Sequence, residues 1–140
     1  MSLLLDTNIL SEGIKPAPDP RVELWLHQVD EDLAFISVVT LAELRRGAER
    51  LPPGRRRRRL EDWISSDVTL RFEGRILRIS EEIADHWGRL VARSESIGRR
   101  IGVMDGFLAA TAVRHDLTLV TRNVTDFAPL GVPIINPWES

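Results

Sequence analysis

The chain has 140 residues, of which 43% are apolar, with a formal net charge of −2 and no cysteine. That length suits one domain with an ordinary core. Disorder, disulfides and Cys-built zinc sites are excluded, and three scattered histidines argue against a His-built metal centre. No apolar run approaches the roughly 18 residues that cross a bilayer. The N-terminus lacks the basic flank and long apolar stretch of a signal peptide, so a cytoplasmic protein is expected.

Residues 2–5 read as a short buried strand that ends on Asp6. Asp19 to Val29 reads as a helix, with Pro20 in its first turn and Val22, Trp25, Leu26 and Val29 on one stripe. Leu33 to Val38 is a second, β-branched strand. Thr40 to Leu51 is a helix closed by Pro52-Pro53-Gly54. Arg55 to about Ser65 restarts as a helix with Leu60, Trp63 and Ile64 as its apolar stripe. Ile76 to Ile79 is a third strand. Ser80 then suits an N-cap, and Glu81 and Glu82 favour the dipole of the helix that follows. Ile83, Trp87, Leu90, Val91 and Ile97 form the apolar face of that helix. Asp105 opens a further helix, Gly106 to His115. Leu117 to Thr121 and Val132 to Ile135 complete the strands, and Asn136-Pro137-Trp138 stops the chain.

Strands alternating with helices predict an α/β fold: one domain over residues 1–140 with a mostly parallel sheet of four to five strands flanked by helices. A helical hairpin is expected around residues 40–72, with an arginine run near its tip. The crossovers should be right-handed.

In such a sheet every strand-to-helix junction lies on one edge, where open α/β sheets place their chemistry. Asp6 follows the first strand, Glu43 lies a turn into the helix after the second, and Asn123 and Asp126 follow the fourth. These groups should converge. Asp105 has no strand directly before it, so pattern alone does not bring it there. Each acid also has an ordinary structural use. Asp6 can cap a helix starting near Asn8, and Thr40-Leu41-Ala42-Glu43 is a formal capping box. Asp105 can be an N-cap, and Asp126 can start a turn before Phe127. None of these uses explains why the acids share an edge. Carboxylates gathered in one pocket repel and raise one another's pKa, and a divalent cation removes that penalty. Oxygen-only ligands select Mg²⁺ or Mn²⁺. Such a site suits phosphodiester hydrolysis. No G-x-S-x-G, Walker A or G-x-G-x-x-G pattern occurs. An aspartyl-nucleophile phosphatase wants a second Asp two residues after the first, where Asn8 stands.

Four stretches now resemble, in order and spacing, the motifs of PIN-domain ribonucleases, closest to the VapC and FitB type of toxin. They are Leu4-Leu5-Asp6-Thr7-Asn8-Ile9-Leu10-Ser11-Glu12, Thr40-Leu41-Ala42-Glu43-Leu44, Asp105-Gly106-Phe107-Leu108-Ala109-Ala110-Thr111-Ala112 and Leu119-Val120-Thr121-Arg122-Asn123. With the Asn-Pro-Trp ending, the resemblance covers essentially the whole chain. It implies a Mg²⁺- or Mn²⁺-dependent endoribonuclease toxin, acting on tRNA or other structured RNA. Asp6, Glu43 and Asp105 match the family's three main acidic positions as metal ligands and catalytic groups. The family's further acid after the fourth strand is matched by Asn123, with the carboxylate of Asp126 three residues on. Thr7, Asn8, Thr121 and Asn123 are implied as supporting or substrate-orienting groups. The resemblance also implies a homodimer and a cognate antitoxin whose C-terminal segment covers the acidic pocket, often with a basic side chain. The other reading is a catalytically weak PIN-like module that binds nucleic acid or regulates together with its antitoxin; Asn123 is the departure that favours it.

Of 19 basic residues all but Lys15 are Arg, and Arg55, Arg56, Arg57, Arg58 and Arg59 form one run. The run is either a solvated helix start or a surface for RNA phosphates or a partner.

Overall fold

The computed structural model describes residues 1–139. Five parallel strands make one sheet: β1 (Leu3–Leu5), β2 (Ala34–Ser37), β3 (Ile76–Leu77), β4 (Thr118–Val120) and β5 (Ile134–Ile135). Their spatial order is β3-β2-β1-β4-β5. From β1 the chain moves outward to β2 and β3, then crosses back to β4 on the other side of β1. The crevice between the ends of β1 and β4 is therefore the topological switch point, the usual ligand position in such sheets. Register fixes what meets there. Leu5 pairs with Val120, so the next residues, Asp6 and Thr121, leave the sheet side by side.

The strands are buried on both faces, and their period of two divides the core. Leu3 and Leu5 of β1, Ala34 and Ile36 of β2 and Val120 of β4 face one cluster, with Ile9, Leu10, Val22, Leu44, Ile64 and Phe72. That side is covered by α1 (Thr7–Gly13), α2 (Pro20–Gln28), α3 (Val38–Arg50), α4 (Arg55–Asp62) and α5 (Thr69–Arg71). Leu4, Phe35 and Leu119 face the opposite cluster, under α6 (Glu81–Ser96), α7 (Val103–Arg114) and α8 (Val124–Phe127). No helix among the described residues is long and apolar enough to cross a membrane.

Several expected boundaries move. Strand two ends at Ser37, whose hydroxyl caps α3 by accepting from the Val39 amide at 3.0 Å. The helix thus begins at Val38, and Thr40 is its third residue. The Thr40–Glu43 capping box does not form. The helix expected to fade near Ser65 continues as a π-helical stretch, Trp63–Val68, into α5. Just past it the Thr69 hydroxyl donates to the Ile64 carbonyl five residues back, as the wider turn allows. Ile97 is not on the buried face of α6; it is the C-cap, 73% exposed. α7 begins at Val103 rather than after Asp105, with Gly102 as N-cap. The third, fourth and fifth strands are shorter than expected: β3 keeps only its first two residues, β4 its central three and β5 its last two.

Candidate active site at the sheet edge

Asp6 is the anchor of the site and only 4% exposed. It is the N-cap of α1, with Oδ1 accepting from the Thr7 amide at 2.7 Å. Its Oδ2 accepts from the Thr121 hydroxyl at 2.8 Å and from Asn8 Nδ2 at 3.4 Å. The capping use and the pocket use are thus met together, one oxygen to each. Burial pushes the Asp6 carboxyl above its ordinary value, against the opposing hydrogen bonds from Thr121 and the Thr7 amide.

Glu43 enters from α3, half-buried one turn past Val39. Its Oε1 accepts from the Thr7 hydroxyl at 2.8 Å. Thr7 therefore ties α1 to α3 and holds two acids in one frame: its amide on Asp6, its hydroxyl on Glu43. Burial raises the Glu43 carboxyl first; Thr7 opposes, the charge of Asp6 adds to the rise, and Arg46 offsets part of it.

Asp105 comes from the third position of α7. The small residues of that helix let it pack closely on α6. At Gly106 a Cβ would stand 2.8 Å from Trp87 Nε1. Trp87 in turn donates to the Val103 carbonyl at 3.1 Å and stacks on Phe107 with ring centroids 5.0 Å apart. This contact sets the height of the first turn of α7 and hence of Asp105. The Asp105 carboxyl is pushed up to about 6, by burial first, then by the charges of Asp6, Asp126 and Glu43. Asp105 thus feels the charges of Asp6, Glu43 and Asp126 at the sheet edge, where topology alone had not brought it.

The turn after β4 closes the far side. Thr121 is fully buried, and its hydroxyl accepts the Asn123 amide at 3.0 Å while donating to Asp6. The tail holds this turn in place: the Thr121 amide donates to the Ile135 carbonyl at 3.0 Å, and Arg122 lies over the buried Trp138 ring. Asn123 contributes its backbone, and its side chain makes no capping bond. Asp126 lines a small cleft with Asp105, Thr125, Arg99 and Arg100. Its charge acts on Asp105.

The Arg55–Arg59 run is not brought to these acids. It forms the first turns of α4, where Arg57 pairs with Glu49 and reaches the Leu51 carbonyl at 3.4 Å. Glu49 stands six residues beyond Glu43, roughly 9 Å further along α3. The residues that the sequence reading missed are Ser37, Arg46 and the Arg99-Arg100 pair. The pair's signal was visible as a basic doublet between Gly98 and Gly102, just ahead of Asp105. A wider cleft of about 670 Å³ lies on α6 and α7, by Glu82, Asp85, His86 and Arg114, and contains none of the sheet-edge acids.

The donor set fits a hard divalent cation. It consists of carboxylate oxygens that burial and mutual repulsion push toward protonation, and no sulfur. The Asn8 carbonyl oxygen is buried without a hydrogen-bond donor, an acceptor left over beside Asp6. No three acidic or imidazole groups among the described residues are already drawn together as a cage.

The PIN domain family matches residues 3–129. Toxin FitB of Neisseria gonorrhoeae is 35% identical over 137 residues, covering 98% of this chain and 99% of that protein. VapC ribonuclease Y4jK of Sinorhizobium fredii is 36% identical over 137 residues, 98% of each chain. The crystal structure of FitAcB from Neisseria gonorrhoeae superimposes with a TM-score of 0.91 at 35% identity, covering 99% of both chains.

Proposed function

This chain belongs to the PIN-domain family, in its VapC/FitB branch, and from that premise we propose that it is a divalent-metal-dependent endoribonuclease, the toxin of a toxin–antitoxin pair. The observation that carries the reading is the electrostatic coupling of Asp105 to Asp6, Asp126 and Glu43, which together with burial pushes its carboxyl up to about 6. Those three side chains would hold Mg²⁺ or Mn²⁺. When bound, the ion supplies a water of lowered pKa and polarises the phosphoryl oxygen.

The chain's own residues do the positioning. Asp6 presents a carboxylate whose orientation is set from both sides, by the α1 amide and by Thr121. Thr7 takes one lone pair of Glu43 and leaves the other oxygen of that carboxylate for the ion or a water. Asp126, beside Asp105, supplies the acid that Asn123 does not. Asn8 offers its free carbonyl oxygen to a water or the ion.

The name of FitB as a toxin supports a cognate antitoxin as partner. An arginine or lysine delivered into this acidic pocket would neutralise the same repulsion that a cation does. The active form is a homodimer working in the cytoplasm. Structured RNA, tRNA first, is the substrate class.

The test is cleavage of total tRNA by the antitoxin-free protein with and without Mg²⁺ or Mn²⁺, beside Asp6→Asn and Asp105→Asn. Metal-dependent cleavage lost in both variants is expected. Metal-independent cleavage, or full activity in either variant, would sink the mechanism. RNA bound tightly but never cut would favour the binding-module reading instead.

A further inference from the structure

The α6–α7 connection has a built geometry. α6 ends in a turn in which the Gly98 amide donates to the Glu95 carbonyl at 3.0 Å and the Arg99 amide to the Ser94 carbonyl at 2.8 Å. Gly98 sits at φ +77°, in the left-handed region that reverses the chain. Two residues after Arg99, Ile101 packs against the core cluster beneath α7. The segment is therefore pinned at both ends, and Arg99 and Arg100 are left exposed between the pins.

Both arginines line the cleft that also holds Asp105 and Asp126. Neither forms an ion pair within 4.0 Å with Asp105, Asp126 or any other acid among the described residues. The cleft thus has one anionic wall and one cationic wall that do not neutralise each other. A guanidinium held beside carboxylates without pairing to them is free for an external anion, and its planar fork suits phosphate.

We propose that Arg99 and Arg100 hold a backbone phosphate of the RNA strand next to the one presented to the acids, and so position the strand across the cleft. This rests on the ribonuclease reading above. It assigns the RNA contact to the α6–α7 connection, which lines the cleft of Asp105 and Asp126, rather than to the Arg55–Arg59 run, which does not line it.

The experiment is binding of a fluorescein-labelled, mixed-sequence single-stranded RNA to the full chain in EDTA, read by anisotropy from 50 to 200 mM KCl. Each phosphate that is no longer neutralised lowers the salt slope by roughly 0.7 on single strands. Arg99→Gln/Arg100→Gln should therefore reduce the slope by about 0.7, so that its affinity drops about 2.6-fold less than wild type's over that fourfold salt range. Arg99→Lys/Arg100→Lys should keep the slope, and Arg58→Gln/Arg59→Gln should leave it unchanged. A wild-type slope in the Gln pair, with RNA still bound and cut by wild type, overturns this inference and leaves the ribonuclease reading standing. RNA neither bound nor cut by wild type overturns both.

Discussion

Replacing Asp105 by Asn should make the metal-free protein more stable while abolishing cleavage. The ordinary carboxyl value of 3.8 is pushed up to about 6 in the folded chain. A native pKa above the unfolded one means that the folded state binds more protons between those values, so stability falls as pH rises through that window. Above pH 6 the whole penalty is present. The gap corresponds to about 3 kcal/mol at most. Asp105 is half-buried, so solvent screening brings the usable figure down to about 1–2 kcal/mol. Asn is isosteric, and no hydrogen bond among the described residues depends on the lost charge. At pH 7.5 in EDTA the variant should therefore gain about 1–2 kcal/mol in urea denaturation, or a few degrees in Tm. At pH 4.5 only about a third of that gain should remain, because little of the charge has developed. Saturating Mg²⁺ should stabilise wild type more than the variant and narrow the gap. Equal stability at both pH values, or a destabilised variant at pH 7.5, would refute the claim that Asp105 is held in a repulsive pocket.

Thr121→Val removes the hydroxyl that Asp6 and the Asn123 amide share; a loss of about 1.5–3 kcal/mol is expected from denaturant midpoints. Because Thr121 opposes the rise of the Asp6 carboxyl, that loss should be greater at pH 8 than at pH 5, and a pH-independent loss would count against it. Gly106→Ala puts a Cβ 2.8 Å from Trp87 Nε1; overpacking should outweigh the helix-propensity gain and cost about 1–2 kcal/mol net. Thermal melting with Trp fluorescence checks this, and an unchanged Tm would show that Trp87 yields freely. Asp126→Asn should weaken Mn²⁺ binding roughly tenfold by calorimetry while Asn123→Ala has little effect; the reverse order would give the fourth position to Asn123.

The sheet edge was legible because two periodicities are strong in this chain. The β-branched and leucine runs before Asp6, Ser37 and Thr121 read as buried strands, and parallel crossovers then oblige their ends to share an edge. Glu43 was harder, since Thr40-x-x-Glu43 mimics a capping box. Only the Ser37 cap, which starts the helix two residues before Thr40, shows that Glu43 is free to face Asp6. Asp105 lay beyond pattern altogether. Its place depends on how closely α7 approaches α6 through Gly106, a tertiary fact with no local signature. Val103 and Met104 are exposed apolar residues at that helix start, so the hydrophobic stripe misplaced the boundary. The arginines show the same limit. The five-residue run is conspicuous in sequence but opens α4, away from the acids, while the unobtrusive Arg99-Arg100 pair lines the cleft of Asp105 and Asp126 because a glycine turn and Ile101 pin it there.

The central claim is that the sheet-edge carboxylates form a cation pocket. The most direct test is a crystal of the full chain soaked in Mn²⁺, with anomalous scattering used to locate the metal. Manganese is expected between Asp6 and Asp105 with Glu43 in its coordination sphere, directly or through water. Full-occupancy manganese elsewhere on the surface, with the acids of this edge bare, would contradict it.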